Sequence, residues 1–279
     1  MRFGVNLMLW TGNFTSDDLP LIDKAAKLGF DGVELPVFDP GGVDVAATKK
    51  ALDDNGQACT LCTVLSPEHN LISDSAGHRQ AGVDHLKQCI ELLAALGGDV
   101  ICGPMYSPVG GLVGRGRNDD EWARAVECLS QVAKTAEACN ATVTLEPLNR
   151  FETYFLNIAA DAVKLCQAIG SDAVKVHLDT FHCNIEEKDT PAAIRATGDQ
   201  LGHFHTCEND RGIPGTGQVD WTGVFAALRD VKYDGWLTIE SFVPAIKELA
   251  AAAAIWRPLA KDGDELAAEG LKFIKKMAG

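Results

Sequence analysis

The sequence predicts a single (β/α)8 barrel spanning residues 1–279. Three observations carry that expectation. Eight short apolar, β-branched runs alternate with helical patterns. Their spacing is roughly 35 residues per unit, an ordinary βα repeat length. No linker or low-complexity stretch interrupts the alternation. The first strand also lacks the Gly-x-Gly-x-x-Gly turn that a dinucleotide-binding open sheet would place after it.

Taken in order, "RFGVNLML" opens the chain as a buried strand. A helix is expected over 16–28, with Ser16 before "DDLPLIDKAAKLG", acids in the first turn and Gly29 past the end. "DGVELPV" precedes a helix over 42–55, and "ACTLCTVL" precedes one over 78–96. "DVICGP" leads to 119–139, where Asn118 stands as the cap of "DDEWARAVECL". "ATVTLEP" leads to 157–169, "VKVHLD" to 190–197 and "LGHFHTC" to 222–230. "WLTIESF" is followed by helical pattern over 245–277, expected to break near Pro258 because proline cannot continue a helix without a kink.

The formal net charge of −14 argues against nucleic acid or an anionic membrane as partner, since both select a basic face. No apolar run reaches the roughly 18 residues of a membrane span. "MRFGVNLMLW" lacks a secretory leader pattern, so a cytoplasmic protein is expected. Nine cysteines without framework spacing fit a reducing compartment. Cys59 and Cys62 form a C-x-x-C with no second pair, on an expected strand where i and i+3 face opposite sides. They are expected to be packing residues.

A barrel of this kind builds its active site at the C-terminal ends of its strands. There the fifth strand delivers Glu146, the sixth Asp179, the seventh His205 and the eighth Glu240. Three carboxylates in one place repel one another unless a cation lies between them. Oxygen donors with one imidazole suit a hard or borderline divalent ion: Mn²⁺, Mg²⁺ or Co²⁺ best, with zinc possible. No thiolate is expected to join, because Cys183 and Cys207 lie beyond the strand ends. Strand parity puts His177, His203, Thr144 and Thr238 one layer below, where the two histidines either orient the ligands or are satisfied core groups. Glu152, His182 and Arg211 share the rim, Arg211 in the Gly- and Pro-containing "ENDRGIPGTG". Such groups suit a polyhydroxylated ligand.

The segments "LEPLNRFE", "VKVHLDTFHCNIEE", "LGHFHTCENDRGIPGTG" and "ESFV" resemble signature stretches of the ketose 3-epimerases. These are the D-tagatose, D-psicose (D-allulose) and L-ribulose 3-epimerase group of the xylose-isomerase-like barrels. The first half, "KLGFDGVEL" included, resembles only the wider superfamily. The resemblance implies that Glu146, Asp179, His205 and Glu240 hold a metal, typically Mn²⁺. It implies further that Glu146 and Glu240 are the acid–base pair, that Glu152, His182 and Arg211 hold a free ketose, and that the protein is a homodimer or homotetramer.

The physics of that reaction is consistent with these residues. A cation beside the substrate oxygens would stabilise a cis-enediolate. Two carboxylates on opposite faces could take the C3 proton and return one from the far side. Trp10 and Phe14 either pack against the sugar or close the rim. The 105–118 loop is Gly-rich where relatives often carry a bulkier aromatic segment. Rival readings are an aldose–ketose or hydroxypyruvate-type isomerase, a cyclic-polyol dehydratase, and a non-catalytic metal-binding barrel. An endonuclease-IV-like barrel would need more histidines and a basic groove.

Overall fold

The computed structural model describes residues 1–279. Its strands are β1 (Arg2–Asn6), β2 (Gly32–Pro36), β3 (Ala58–Cys62), β4 (Val100–Gly103), β5 (Thr142–Leu145), β6 (Val174–Asp179), β7 (Leu201–His205) and β8 (Trp236–Ile239). Each pairs in parallel with its sequence neighbours, and β1 pairs with β8, so the sheet closes into the expected barrel.

The helices are α1 (Pro20–Leu28), α2 (Val45–Asn55), α3 (Ala76–Leu96), α4 (Asp119–Cys139), α5 (Ala159–Ile169), α6 (Thr180–Glu186), α7 (Thr190–Thr197), α8 (Trp221–Asp230), α9 (Lys247–Ala252) and α10 (Gly263–Ala278). None is long and apolar enough to cross a membrane. Short polar side chains fix their starts: Asp44, Ser75, Asn118 and Asp220 each accept a backbone N–H from the first turn. At Asn118 the exchange is reciprocal, with Glu121 accepting from the Asn118 N–H at 2.8 Å.

Two expectations change. Ser16 is not a cap: Thr15 caps a 3₁₀ turn over Ser16–Asp18, and α1 starts only at Pro20, where the missing N–H costs nothing. The second change is α6, a helix not foreseen between β6 and α7, which begins directly after Asp179. The long C-terminal pattern breaks as expected, into α9 and α10 with Pro258 in the chain between them.

The core is one cluster of 60 buried apolar residues running between barrel and helices. A satellite of Met8, Cys62, Cys102, Phe242, Ala250 and Ile255 lies apart from it. This satellite packs α9 against one wall of the cavity described next.

Candidate active site

Register sets the site. Asp179 of β6 pairs with His205 of β7, and His205 pairs with Thr238 of β8. One layer down, His177 pairs with His203. Glu146 and Glu240 are the first residues past β5 and β8, so all four strand-end groups emerge at one rim. All four are buried.

Asp179 has two tasks. Its Oδ1 accepts the Phe181 N–H at 2.8 Å and so caps α6. That helix carries His182 back over the site, 3.7 Å from Glu146 Oε1. His182 Nδ1 accepts the Asn149 backbone N–H at 3.1 Å, and Nε2 faces the cavity 3.3 Å from Arg211 Nη2. Burial and the neighbouring Arg211 push His182 well below the usual imidazole range, so the ring is neutral. Asn149 also donates its side-chain amide to Glu152 Oε1 at 2.8 Å, tying two expected ligand-holding groups together. Burial raises Glu152.

Arg211 sits at φ 66, a left-handed conformation uncommon outside glycine. Ser241 Oγ donates to its carbonyl, and its N–H donates to the Glu208 carbonyl at 2.9 Å. Its guanidinium lies over the Phe181 ring at 4.1 Å and the Phe242 ring at 5.0 Å. Nη1 reaches Asp179 Oδ2 at 2.9 Å and Glu240 Oε2 at 2.5 Å.

The electrostatics separate the two glutamates. Burial and the nearby Glu240 push Glu146 well above the usual carboxylate range. Burial opposes ionisation of Glu240 as well, but His205 and Arg211 hold it down at about 2.

The donor set fits a cation on two observations. Glu146 Oε1 and His205 Nδ1 are buried with no hydrogen-bond partner. His205 Nδ1 stands 3.6 Å from Glu240 Oε2. Ligand atoms of Glu146, Asp179 and His182 lie within 4.8 Å of one another, as do those of Asp179, Cys207 and Glu240 and those of Glu146, His177 and His205. The four expected ligands thus form an overlapping ring rather than one contracted set.

Cys207, expected not to join the ligands as a thiolate, lies close to the rim. The loop after β7 folds its Sγ to within 2.9 Å of the Glu240 carbonyl. Burial and Asp179 push this thiol well above the ordinary range, so it stays protonated and donates there. Cys59 and Cys62 both lie on β3 and are buried and free, as packing residues would be.

Two carboxylates escaped sequence reasoning. Glu34 of β2 is fully buried in the barrel, 2.8 Å from His205 Nε2 and 2.8 Å from His203 Nε2. The second contact lacks hydrogen-bond alignment. Contacts with these histidines hold Glu34 low against the opposing effect of burial. His177 has no hydrogen-bond partner and lies 3.6 Å from Glu146 Oε2. Glu208 accepts the N–H groups of Asn209, Gly215 and Val219 and the Trp221 indole. The loop wraps it so closely that a Cβ at Gly217 would strike the Glu208 carboxylate.

A cavity of 280 Å³ opens on Glu146, Glu152, His182, His205, Arg211 and Glu240. That is below the ~300–1,000 Å³ of drug-sized pockets and suits a small ligand. Met8, Phe38, Val109, Phe242 and Leu249 give the same cavity an apolar lining. Trp10 and Phe14 do not line it: Phe14 is buried in the main core, and the Trp10 indole donates to Asp264 at 2.7 Å. Of the 105–118 loop, Val109 reaches the cavity while Leu112 and Val113 face outward.

Comparison with known proteins agrees with this architecture. The xylose isomerase-like TIM barrel family matches residues 22–277. The L-ribulose 3-epimerase of Mesorhizobium japonicum is 34% identical over 276 residues, covering 98% of this chain and 93% of its own. The D-psicose 3-epimerase of Agrobacterium fabrum is 35% identical, covering 95% and 93%. The crystal structure of D-allulose 3-epimerase from Methylomonas sp. in complex with D-allulose superposes with a TM-score of 0.95 at 31% identity, covering 99% and 97%. The chain therefore belongs to the ketose 3-epimerases of the xylose isomerase-like TIM barrel family, and it is a carbohydrate epimerase.

Proposed function

We propose that this protein inverts C3 of a free ketohexose or ketopentose, of the kind of D-tagatose, D-psicose/D-fructose or L-ribulose. Glu146, Asp179, His205 and Glu240 would hold a divalent metal, Mn²⁺ ahead of Mg²⁺ or Co²⁺. When bound, the metal supplies positive charge that lowers the cost of an enediolate.

One observation carries the reading. Glu146 and Glu240 reach a single cavity from strands separated by two others. Inversion by two bases needs one ionised carboxylate to take the C3 proton and one protonated carboxyl to return a proton to the other face. In the empty site, burial and the nearby Glu240 favour the proton on Glu146, while His205 and Arg211 keep Glu240 ionised; a bound cation would favour ionisation of both, so that either could act as the base. In the reverse direction the roles exchange.

Glu152, His182 and Arg211 orient the sugar oxygens. The apolar wall of Met8, Phe38 and Phe242 limits water at the reacting carbon. The family resemblance extends to a homodimer or homotetramer. Exposed Leu112, Val113 and Phe151 are apolar surface of the kind such an interface covers.

The test is incubation with D-fructose, D-tagatose and L-ribulose, with Mn²⁺ and after EDTA treatment, resolving products by chromatography. The C3 epimers should form only with metal. Aldose products would move the protein to the isomerases, and no conversion of any ketose would refute the substrate class.

A further inference from the structure

We infer that Glu34 is a positioning residue that fixes the tautomer and ring orientation of His205 so that Nδ1 is presented as a metal ligand; this rests on the assignment of His205 to the metal site. Glu34 projects from β2 into the barrel interior and is fully buried. Its partners come from three other strands. Asn6 of β1 donates its side-chain amide to Oε1 at 2.9 Å, and Thr60 of β3 donates its hydroxyl to Oε2 at 2.9 Å. Across the barrel, His205 Nε2 lies 2.8 Å from Oε1 and His203 Nε2 lies 2.8 Å from Oε2.

An ionised carboxylate can only accept, so the short contact to Oε1 places a hydrogen on His205 Nε2. Nδ1 is then the nitrogen left for a ligand bond. It is buried, has no protein hydrogen-bond partner and lies 3.6 Å from Glu240 Oε2. So close to a carboxylate oxygen, Nδ1 needs positive charge between the two: a proton when the site is empty, since against burial Glu34 and Glu240 raise His205 well above the usual imidazole range, or a metal cation that replaces that proton. Asn6 extends the same brace, since its amide also lies 3.5 Å from Glu240 Oε1. No lysine or arginine pairs with Glu34. A carboxylate without a basic partner is a poor filler for a barrel interior, where an apolar side chain would pack at lower cost. Orientation of a ligand explains its presence better than packing does. Partners of this type tune metal affinity by about 10–100-fold.

The experiment uses full-length protein stripped with EDTA. Mn²⁺ is titrated into wild type, Glu34→Gln and Glu34→Ala by calorimetry. Thermal melts of the stripped proteins confirm folding, and the His205 tautomer is read by ¹⁵N NMR of the imidazole. Wild type loaded with diamagnetic Mg²⁺ should hold Nε2–H alone, with Glu34→Gln binding Mn²⁺ roughly tenfold and Glu34→Ala roughly a hundredfold more weakly. Folded variants that bind Mn²⁺ like wild type, or a wild-type ring with the hydrogen on Nδ1 alone, would overturn the inference. If wild type itself binds no Mn²⁺, the metal reading fails instead, and the tautomer still decides whether Glu34 sets the ring. Should Glu34→Ala not fold, the Gln variant and the tautomer carry the decision.

Discussion

Replacing Glu208 by glutamine changes neither its size nor its shape, but it exchanges one acceptor oxygen for a donor. Oε1 accepts from the Asn209 and Val219 N–H groups at 3.0 Å each. Oε2 accepts from the Gly215 N–H at 2.8 Å and the Trp221 indole at 2.9 Å. Whichever oxygen becomes NH₂, two of these donors face another donor in a site with no solvent access. A buried donor left without an acceptor costs about 1–3 kcal/mol, so two cost roughly 4 kcal/mol. For a chain of this length that corresponds to a melting temperature lower by about 8 °C, at roughly 2 °C per kcal/mol. Differential scanning calorimetry of wild type and Glu208→Gln at neutral pH measures it. Because Arg211 N–H is anchored on the Glu208 carbonyl, the substrate KM should rise as well. A melting temperature within about 2 °C of wild type would refute the argument that this carboxylate organises the loop.

The remaining predictions concern both chemistry and stability. Glu146→Gln and Glu240→Gln should each lower kcat by about 10²–10⁴-fold with the fold intact, measured as ketose conversion at saturating metal. Glu121 is held down at about 2 by the Arg115 guanidinium, with the Asn118 N–H and Tyr154 hydroxyl helping against partial burial. Its stabilisation is therefore complete above the unfolded carboxylate value near ~4.3 and is lost as pH falls toward about 2. Arg115 is 50% exposed, so screening reduces the contribution to roughly 1–2 kcal/mol. Urea unfolding of Glu121→Gln should show that loss at pH 7 and a flatter profile below pH 4.5. Phe14→Ala should cost about 3–5 kcal/mol of stability without changing which ketose is preferred, whereas Phe242→Ala should alter KM.

The sequence revealed the strand-end groups because each interrupts a buried apolar run at the point where the chain leaves the sheet. Asp179 in "VKVHLD" and His205 in "LGHFH" need only strand parity to be placed. Glu34 in "VELP" was invisible by the same logic. Its partners on β7 are 169 and 171 residues away, and only closure of the barrel brings them near. α6 was missed because Asp179 reads as a strand terminus, although its carboxylate also caps a helix. The contact of Cys207 with Glu240 was not legible because it depends on how the following loop folds. Trp10 has the composition of a sugar-facing aromatic, but its indole is satisfied by Asp264, 254 residues later. Short-range pattern located the rim; long-range contacts decide which groups brace it.

The central claim is tested most directly by NMR in D₂O on the Mn²⁺-loaded protein with D-fructose, D-tagatose and L-ribulose, beside an EDTA-treated control. C3 inversion by Glu146 and Glu240 should give metal-dependent deuterium at C3 together with the C3 epimer, and both should be lost in Glu240→Gln. Deuterium at C1 or C2 with an aldose product, or C3 left fully protonated in every sugar, would contradict it.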